Sequence, residues 1–213
     1  MTGTEIFEIM RTTRAMRRLK PDPVPDDLVR KILEAGLCAA NGGNNQRWRF
    51  LVVKDPAIKQ AVQVFYKRAY DEVIGPRYAN SPPPPGSDPA RYHRQHQAVA
   101  YLTDHFHEAP VWIVACQDDG PGTPNRASGA SVYPAVQNML LAARALGLGC
   151  TLTTRHLLFE KESDAALGLP SGVHSYAILP IGWPMGKFGP VGRGKLENFV
   201  YAERWGEPYP VAI

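Results

Sequence analysis

Apolar and polar positions switch between two periods along this chain, and the switches divide it into elements. Residues Thr4 to Thr13 carry Ile6, Phe7 and Met10 on one side at helical spacing, with Thr4 available as a cap, so a short helix is predicted that delivers Arg14 and Arg17 at its exit. Asp26 and Asp27 open a clearer helix, with Leu28, Val29, Ile32, Leu33 and Leu37 recurring every three or four residues and the acids favoured at its positive end. Phe50 to Val53 is a brief apolar run stopped by Lys54-Asp55-Pro56. It reads as a buried strand turning into a helix from about Ala57 to Tyr70. The pattern then decays. Consecutive prolines from Pro82 to Pro85 cannot sustain a helix or a central strand, so Pro76 to Pro89 is expected to be an exposed loop or flexible lid, inside an insertion at about 71–108.

A second set of elements follows: a strand from Val111 to Cys116, a helix from about Gly129 to Leu146, a strand from Gly149 to Thr154, a helix from about Glu160 to Leu167 and a strand from Ser175 to Ile181. The middle helix has Val132, Val136, Met139, Leu140, Ala143 and Leu146 on one side and alanines elsewhere, so it is apolar nearly all round and must be buried, in part against a second subunit. Beyond Pro184 the chain is rich in glycine and proline, with no amphipathic period long enough for its own core. That tail is expected to wrap over a partner. No repeats or linkers divide the sequence, and residues 1–213 are read as one domain, strands and helices intermixed in an α+β arrangement.

Composition narrows the function classes. Hydrophobic residues make up 44% and charged residues 21%, which suits a compact globular chain. The formal net charge of +4 favours anionic ligands, but the lysines and arginines are dispersed and no basic face interleaved with aromatics marks a nucleic-acid surface. Three cysteines, Cys38, Cys116 and Cys150, are an odd number without Cys-x-x-Cys spacing, which points to a reducing, cytoplasmic setting. No leader pattern opens the chain, and no window approaches the ~18 apolar residues needed to span a bilayer, so no membrane partner is expected.

Two clusters carry candidate chemistry. Arg14, Arg17 and Arg18 sit at a helix-to-turn boundary, and Arg193 with Lys195 forms another cationic pair near the other end. If they converge they suit a phosphate; otherwise they are solvated surface charges. The loop Asn41-Gly42-Gly43-Asn44-Asn45-Gln46 sets amides beside glycines that let backbone approach a flat heterocycle, although an ordinary helix-to-strand loop would use the same residues. His93, His96, His105 and His107 lack the ligands that would close a metal site, and none is expected. Asp26-Asp27 and Asp118-Asp119 read as caps or solvated charges. Gly147-Leu148-Gly149 follows a helix rather than a strand, against a dinucleotide fingerprint.

Taken in order, Arg14-x-x-Arg17, Pro23-Val24-Pro25, the Asp-initiated helix, Asn41 through Phe50, Gly147-Leu148-Gly149, and Ile181-Gly182-Trp183-Pro184 with Arg193 behind resemble the nitroreductase family of FMN-dependent oxidoreductases, from about Thr4 to Gly206. The resemblance implies an α+β nitroreductase-like fold with a mixed central sheet flanked by helices, a homodimer with a domain-swapped C-terminal tail, and two FMN sites at the subunit interface. It places Arg14, Ala15, Met16, Arg17 and Arg18 at the flavin phosphate and ribityl chain, with Arg193 as the C-terminal phosphate arginine and Lys195 as a helper. Thr13 and Ala15 stand where the family often has arginine and serine.

By the same resemblance Asn41, Gly42 and Asn44 pack across the dimer interface against flavin, and Gln46 lies near the ribityl and ring edge. Arg47 replaces the usual proline before tryptophan. Leu152, Thr153 and Thr154 fall beside the pyrimidine and N5 edge, where a β-branched buried strand would otherwise explain them. The implied activity is ping-pong transfer of hydride from NADPH or NADH through flavin N5 to a small-molecule electron acceptor, a nitroaromatic or quinone, with no side-chain triad and with Arg17 tuning flavin N1. Two alternatives accompany it: the same fold used for dehalogenation, flavin breakdown or dehydrogenation, and a non-enzymatic flavin-binding protein. Tyr70, Tyr78, Tyr92, Tyr101 and Phe106 either line a cleft for aromatic acceptors or pack the proline-rich segment down.

Overall fold

A computed structural model describes residues 6–83, 88–122 and 124–210. Thr4, the expected first cap, and Pro84 and Pro85 of the proline run lie outside them. The centre is a four-stranded sheet of β1 (Trp48–Val53), β2 (Val111–Asp118), β3 (Gly149–Cys150) and β4 (Val173–Gly182) in the order β1-β2-β4-β3. Every pairing among the described residues is antiparallel, which corrects the expected mixed sheet. Local patterning specifies that a strand exists but not the direction of its neighbour, which chain connectivity decides.

β2 is buried from Val111 through Gln117, so its sequence shows no polar alternation, yet its side chains still divide by parity between two cores. Val111, Ile113 and Ala115 face α2 (Asp26–Leu37) and α6 (Arg126–Ala145), packing with Val29, Ile32, Val136 and Met139. Trp112, Val114 and Cys116 face the other side with Val62 and Tyr66 of α3 (Pro56–Ala69) and Leu102 of α5 (Pro89–His105). There Phe106 stacks between Tyr66 and Trp112, with ring centroids 3.9 and 4.1 Å away.

Helix starts follow their caps. Asp55 accepts from the amides of Ala57 and Ile58 with Pro56 in the first turn of α3, and Asn125 accepts from Ala127 and Ser128, starting α6 ahead of Gly129. α6 buries one face, Val132, Val136, Met139 and Ala143 among it, and leaves Tyr133 exposed on the other.

The described residues of the insertion at about 71–108 are largely helical, while residues 81–83 and Asp88 of the expected loop belong to no helix. A π-helical turn at Tyr70–Ile74 leads into α4 (Gly75–Asn80), and Asp88 caps α5 by accepting from the Ala90 amide, with Pro89 in the first turn where its missing N–H costs nothing. Only Val99, Leu102 and Thr103 of α5 are buried, so its sequence carries little apolar period. The strand expected from Gly149 to Thr154 leaves the ladder after Cys150 and touches β4 again only through a bridge between Thr153 and Ile178. In α1 (Ile6–Thr12) the buried residue is Ile9, while Ile6, Phe7 and Met10 are exposed. The short α7 (Glu160–Ala166) completes the helices. Beyond β4 the chain folds back along the α1 exit, Met185 donating its amide to the Arg18 carbonyl and Val191 to that of Arg11. No helix among the described residues is long and apolar enough to cross a membrane.

Candidate functional site

α1 ends where Thr13 turns its amide and hydroxyl onto the Ile9 carbonyl, and the chain then runs extended. Met16 donates its amide to Cys150 and Lys20 to Trp183, while the Met16 and Leu19 side chains are buried. This lashing needs Gly149, because a Cβ there would lie 2.7 Å from a Leu19 methyl and 3.1 Å from the Met16 Cβ. With Met16 turned inward, Arg14, Ala15 and Arg17 line a cavity of about 600 Å³. Arg193 arrives on the same cavity from the returning tail, and α5 adds Arg91 and Arg94. The Arg91 guanidinium lies so close to Gly192 that a Cβ there would be 2.3 Å from it.

Five guanidinium groups from three segments therefore line one space. Among the described residues no carboxylate lies within ion-pair distance of Arg14, Arg17, Arg91 or Arg193, and Arg94 has only Asp88 at 3.9 Å, both well exposed. Arg17 is held below the usual guanidinium range, chiefly by burial; Tyr66 and Tyr78 oppose that, while Arg155 and Arg14 add to it by repulsion. Gathered like charges without a counter-charge are unfavourable, and a ligand phosphate carrying about −2 turns the repulsion into attraction. This donor set fits a phosphomonoester.

Arg17 also lines a smaller cavity of about 220 Å³ walled by Tyr66, Tyr78, Thr153, Thr154 and Arg155. The Tyr66 hydroxyl bonds Thr153 Oγ1 at 3.0 Å. Burial pushes the Tyr66 phenol up, with Arg155, the Thr153 bond and Arg17 pulling it back. Arg155 donates Nη1 to Thr103 Oγ1 and lies 4.4 Å from the Tyr66 ring centroid.

The structure thus brings Arg14, Ala15, Arg17 and Arg193 together and connects them through Arg17 to Leu152, Thr153 and Thr154. Other expected residues lie apart. Met16 belongs to the core, Arg18 sits 5.0 Å over the Tyr101 ring, and Lys195 is an exposed side chain 3.8 Å from Glu197. Asn41 and Gly42 line a separate cavity of about 250 Å³ with Ser128 and Ser131 of α6, where Ser131 Oγ accepts the Gly42 amide. Asn41 Oδ1 accepts the Gln46 amide, and Asn44 and Gln46 are exposed with φ of 52° and 50°.

Of the aromatic set only Tyr78 lines the smaller cavity. Phe106 is core, Tyr92 and Tyr101 pack on His96 and His105, and Tyr70 lies beneath Arg155. Arg91, Arg94 and Arg155 escaped the sequence reading. The first two lie on a helix without apolar period, and the third stands alone in a polar stretch; none had a motif to mark it.

The fold is thus an antiparallel α+β core with a cavity lined by arginines beside it. The chain belongs to the nitroreductase family, whose model matches residues 10–183. It is 33% identical over 199 residues to an NADH dehydrogenase of Thermus thermophilus, covering 88% of this chain and 90% of that one. It is 27% identical over 181 residues to 5,6-dimethylbenzimidazole synthase of Rhodospirillum rubrum, covering 80% and 78%. Among solved structures, iodotyrosine deiodinase bound to FMN and 3-iodo-L-tyrosine superposes with a TM-score of 0.72 at 23% identity, covering 90% of this chain and 96% of that one.

Proposed function

We propose that this chain is an FMN-dependent oxidoreductase that moves hydride equivalents from NADPH or NADH to a small oxidised acceptor, acting as a homodimer. The observation that carries this reading is the meeting of Arg14 and Arg17 with Arg193, from opposite ends of the chain, on a cavity that continues past Arg17 to Thr153 and Thr154. Arg14 and Arg193 hold the phosphate through charge-assisted bonds. Arg17, half-buried between the two cavities, supplies positive charge that favours a ligand gaining electrons beside it. Thr153 and Thr154 set hydroxyl and backbone groups along the wall of the smaller cavity. FMN supplies, when bound, reversible two-electron chemistry between nicotinamide and acceptor.

The Asn41–Gln46 loop lies away from these cavities in one chain, so its proposed part is to reach the site of a second copy. The apolar Ile6, Phe7 and Met10 and the exposed Phe199 and Trp205 support association, because such surface is seldom left to water.

A yellow purified protein whose flavin is bleached by anaerobic NADPH or NADH is the expected outcome; flavin untouched by either would refute the reductase reading. Arg14→Ala with Arg193→Ala should weaken FMN binding by about 3 kcal/mol or more, roughly a hundredfold, and leave riboflavin binding nearly unchanged. Relatives carry the names of other reactions, 5,6-dimethylbenzimidazole synthase among them, so the oxygen-dependent flavin breakdown that the family resemblance also implies is the second reading. Loss of the flavin spectrum in air would select it, whereas repeated acceptor turnover would select the reductase.

A further inference from the structure

We infer that Glu160, Asp164 and His174 bind a divalent transition-metal ion of the zinc type, which ties α7 to the start of β4. This site is independent of the flavin reading, since none of the three residues lines either of the cavities that Arg17 borders. Glu160 and Asp164 lie one turn apart on α7 and so share a face. His174 is the second residue of β4. The reversal between the two elements is fixed. Gly168 and Gly172 turn the chain with φ of 69° and 84°, and a Cβ on Gly172 would lie 2.6 Å from the Gly120 carbonyl oxygen. One donor atom from each of the three side chains is thereby brought within 4.8 Å of the other two. None of His93, His96, His105 and His107 takes part, and no ligand spacing in the sequence marks the set that the reversal assembles.

The donors suit an ion in geometry and in charge. His174 Nδ1 lies 3.2 Å from Glu160 Oε1. Two donors each about 2.1 Å from one tetrahedral ion stand roughly 3.4 Å apart, so this pair is already at ligand spacing. Asp164 closes the third side and is held from behind. The Ser175 amide donates to its Oδ2 and the Ser175 hydroxyl to its Oδ1, and the fully buried His156 lies with Nε2 3.0 Å from that hydroxyl. Metal sites fix their carboxylates through such an outer shell of hydrogen bonds, and each Asp164 oxygen keeps a lone pair for an ion.

The two carboxylates repel each other, and among the described residues no lysine or arginine lies within ion-pair distance of either; the partner present is His174, at Glu160. A divalent cation turns that repulsion into attraction. Oxygen donors alone would suit magnesium or calcium, whereas the imidazole shifts the preference to zinc and its first-row neighbours. On binding, His174 offers Nδ1 as a lone pair and carries its proton on Nε2. All three side chains are half-buried, which leaves the ion a way in and a position for water.

The test uses the untagged protein as purified, dialysed against EDTA and then against metal-free buffer, with Zn²⁺ titrated calorimetrically. The wild type should take up one ion per chain in a tight phase, and excess Mg²⁺ should not displace it. Glu160→Gln and His174→Gln should each weaken that phase by about tenfold or more, at least the loss that an outer-shell change brings. His105→Gln, at a second histidine–carboxylate pair with His105 Nδ1 2.9 Å from Glu108 Oε1, should leave it unchanged. Glu160→Gln, on the more exposed side chain, decides alone if the His174 variant does not fold. Absence of a tight phase in the wild type, its survival in the Glu160 and His174 variants, or its loss in the His105 variant would overturn the site. Displacement by Mg²⁺ would overturn the class of metal.

Discussion

His156 shows how a single side chain couples burial to stability. It is fully buried, its Nε2 lies 3.0 Å from Ser175 Oγ, and that hydroxyl donates in turn to Asp164. The imidazole must therefore donate from Nε2, which leaves Nδ1 an acceptor without a partner among the described residues. Burial pushes the His156 pKa from 6.5 down to about 4, so the native ring stays neutral where the unfolded one takes a proton. The stabilisation is present above pH 6.5 and is lost as pH falls toward 4. Between pH 7.5 and 5 the loss should be about 2 kcal/mol. Asp164, whose carboxyl burial pushes up, gains a proton in the native state first and offsets part of this toward the acid end. Urea unfolding at the two pH values should show a smaller difference for His156→Gln; an identical pH difference would remove His156 as its source. Thiol chemistry separates on the same ground. Burial raises the Cys116 thiol to about 12 and Cys150 further, so only the exposed Cys38 should react with a thiol reagent before denaturant is added.

The elements differ in how plainly the sequence announces them. α2 and α3 were legible because each pairs one apolar stripe with a recognisable start at Asp26 or Asp55. α5 was not, because it rests on the body by three buried residues near its C-terminal half, and Pro89, read as part of a breaking segment, stands at a position a helix start tolerates. Yet α5 brings Arg91 and Arg94 to the large cavity. Replacing both with alanine should weaken FMN about tenfold or more and riboflavin little, as read by flavin fluorescence. Equal losses for the two flavins would mean the arginines serve only the helix. β3 offers a complementary test, since Gly149→Ala would drive a methyl into Leu19 and Met16. It should cost about 1–3 kcal/mol in thermal or urea unfolding and displace the Arg14–Arg17 segment; wild-type stability with unchanged FMN affinity would show that the close approach is dispensable.

At the scale of the molecule, one chain leaves apolar surface facing water. The apolar side of α1 that the sequence marked for burial is exposed, Trp205 of the tail is 89% exposed, and the amide loop lies on a different cavity from the arginines. Light scattering should return twice the 23.5 kDa of one chain, and truncation after Lys195 should weaken that association and flavin retention together. A stable monomer that holds FMN would remove any need for a second copy.

Sequence alone determined the elements whose cause is local: the stripes of α2 and α3, the apolar runs of β2 and β4, the long α6, and the positive charge waiting at the end of α1. Tertiary structure decided what depends on segments far apart in the chain. It set the antiparallel order β1-β2-β4-β3, brought Arg193 to Arg14, added Arg91 and Arg94 from a helix without apolar period, and turned Arg155 toward Tyr66. The physical reason is range. A hydrophobic period records which side of its own segment is buried, while the meeting of distant charges is fixed only when two cores close on the sheet and carry their loops to the same side.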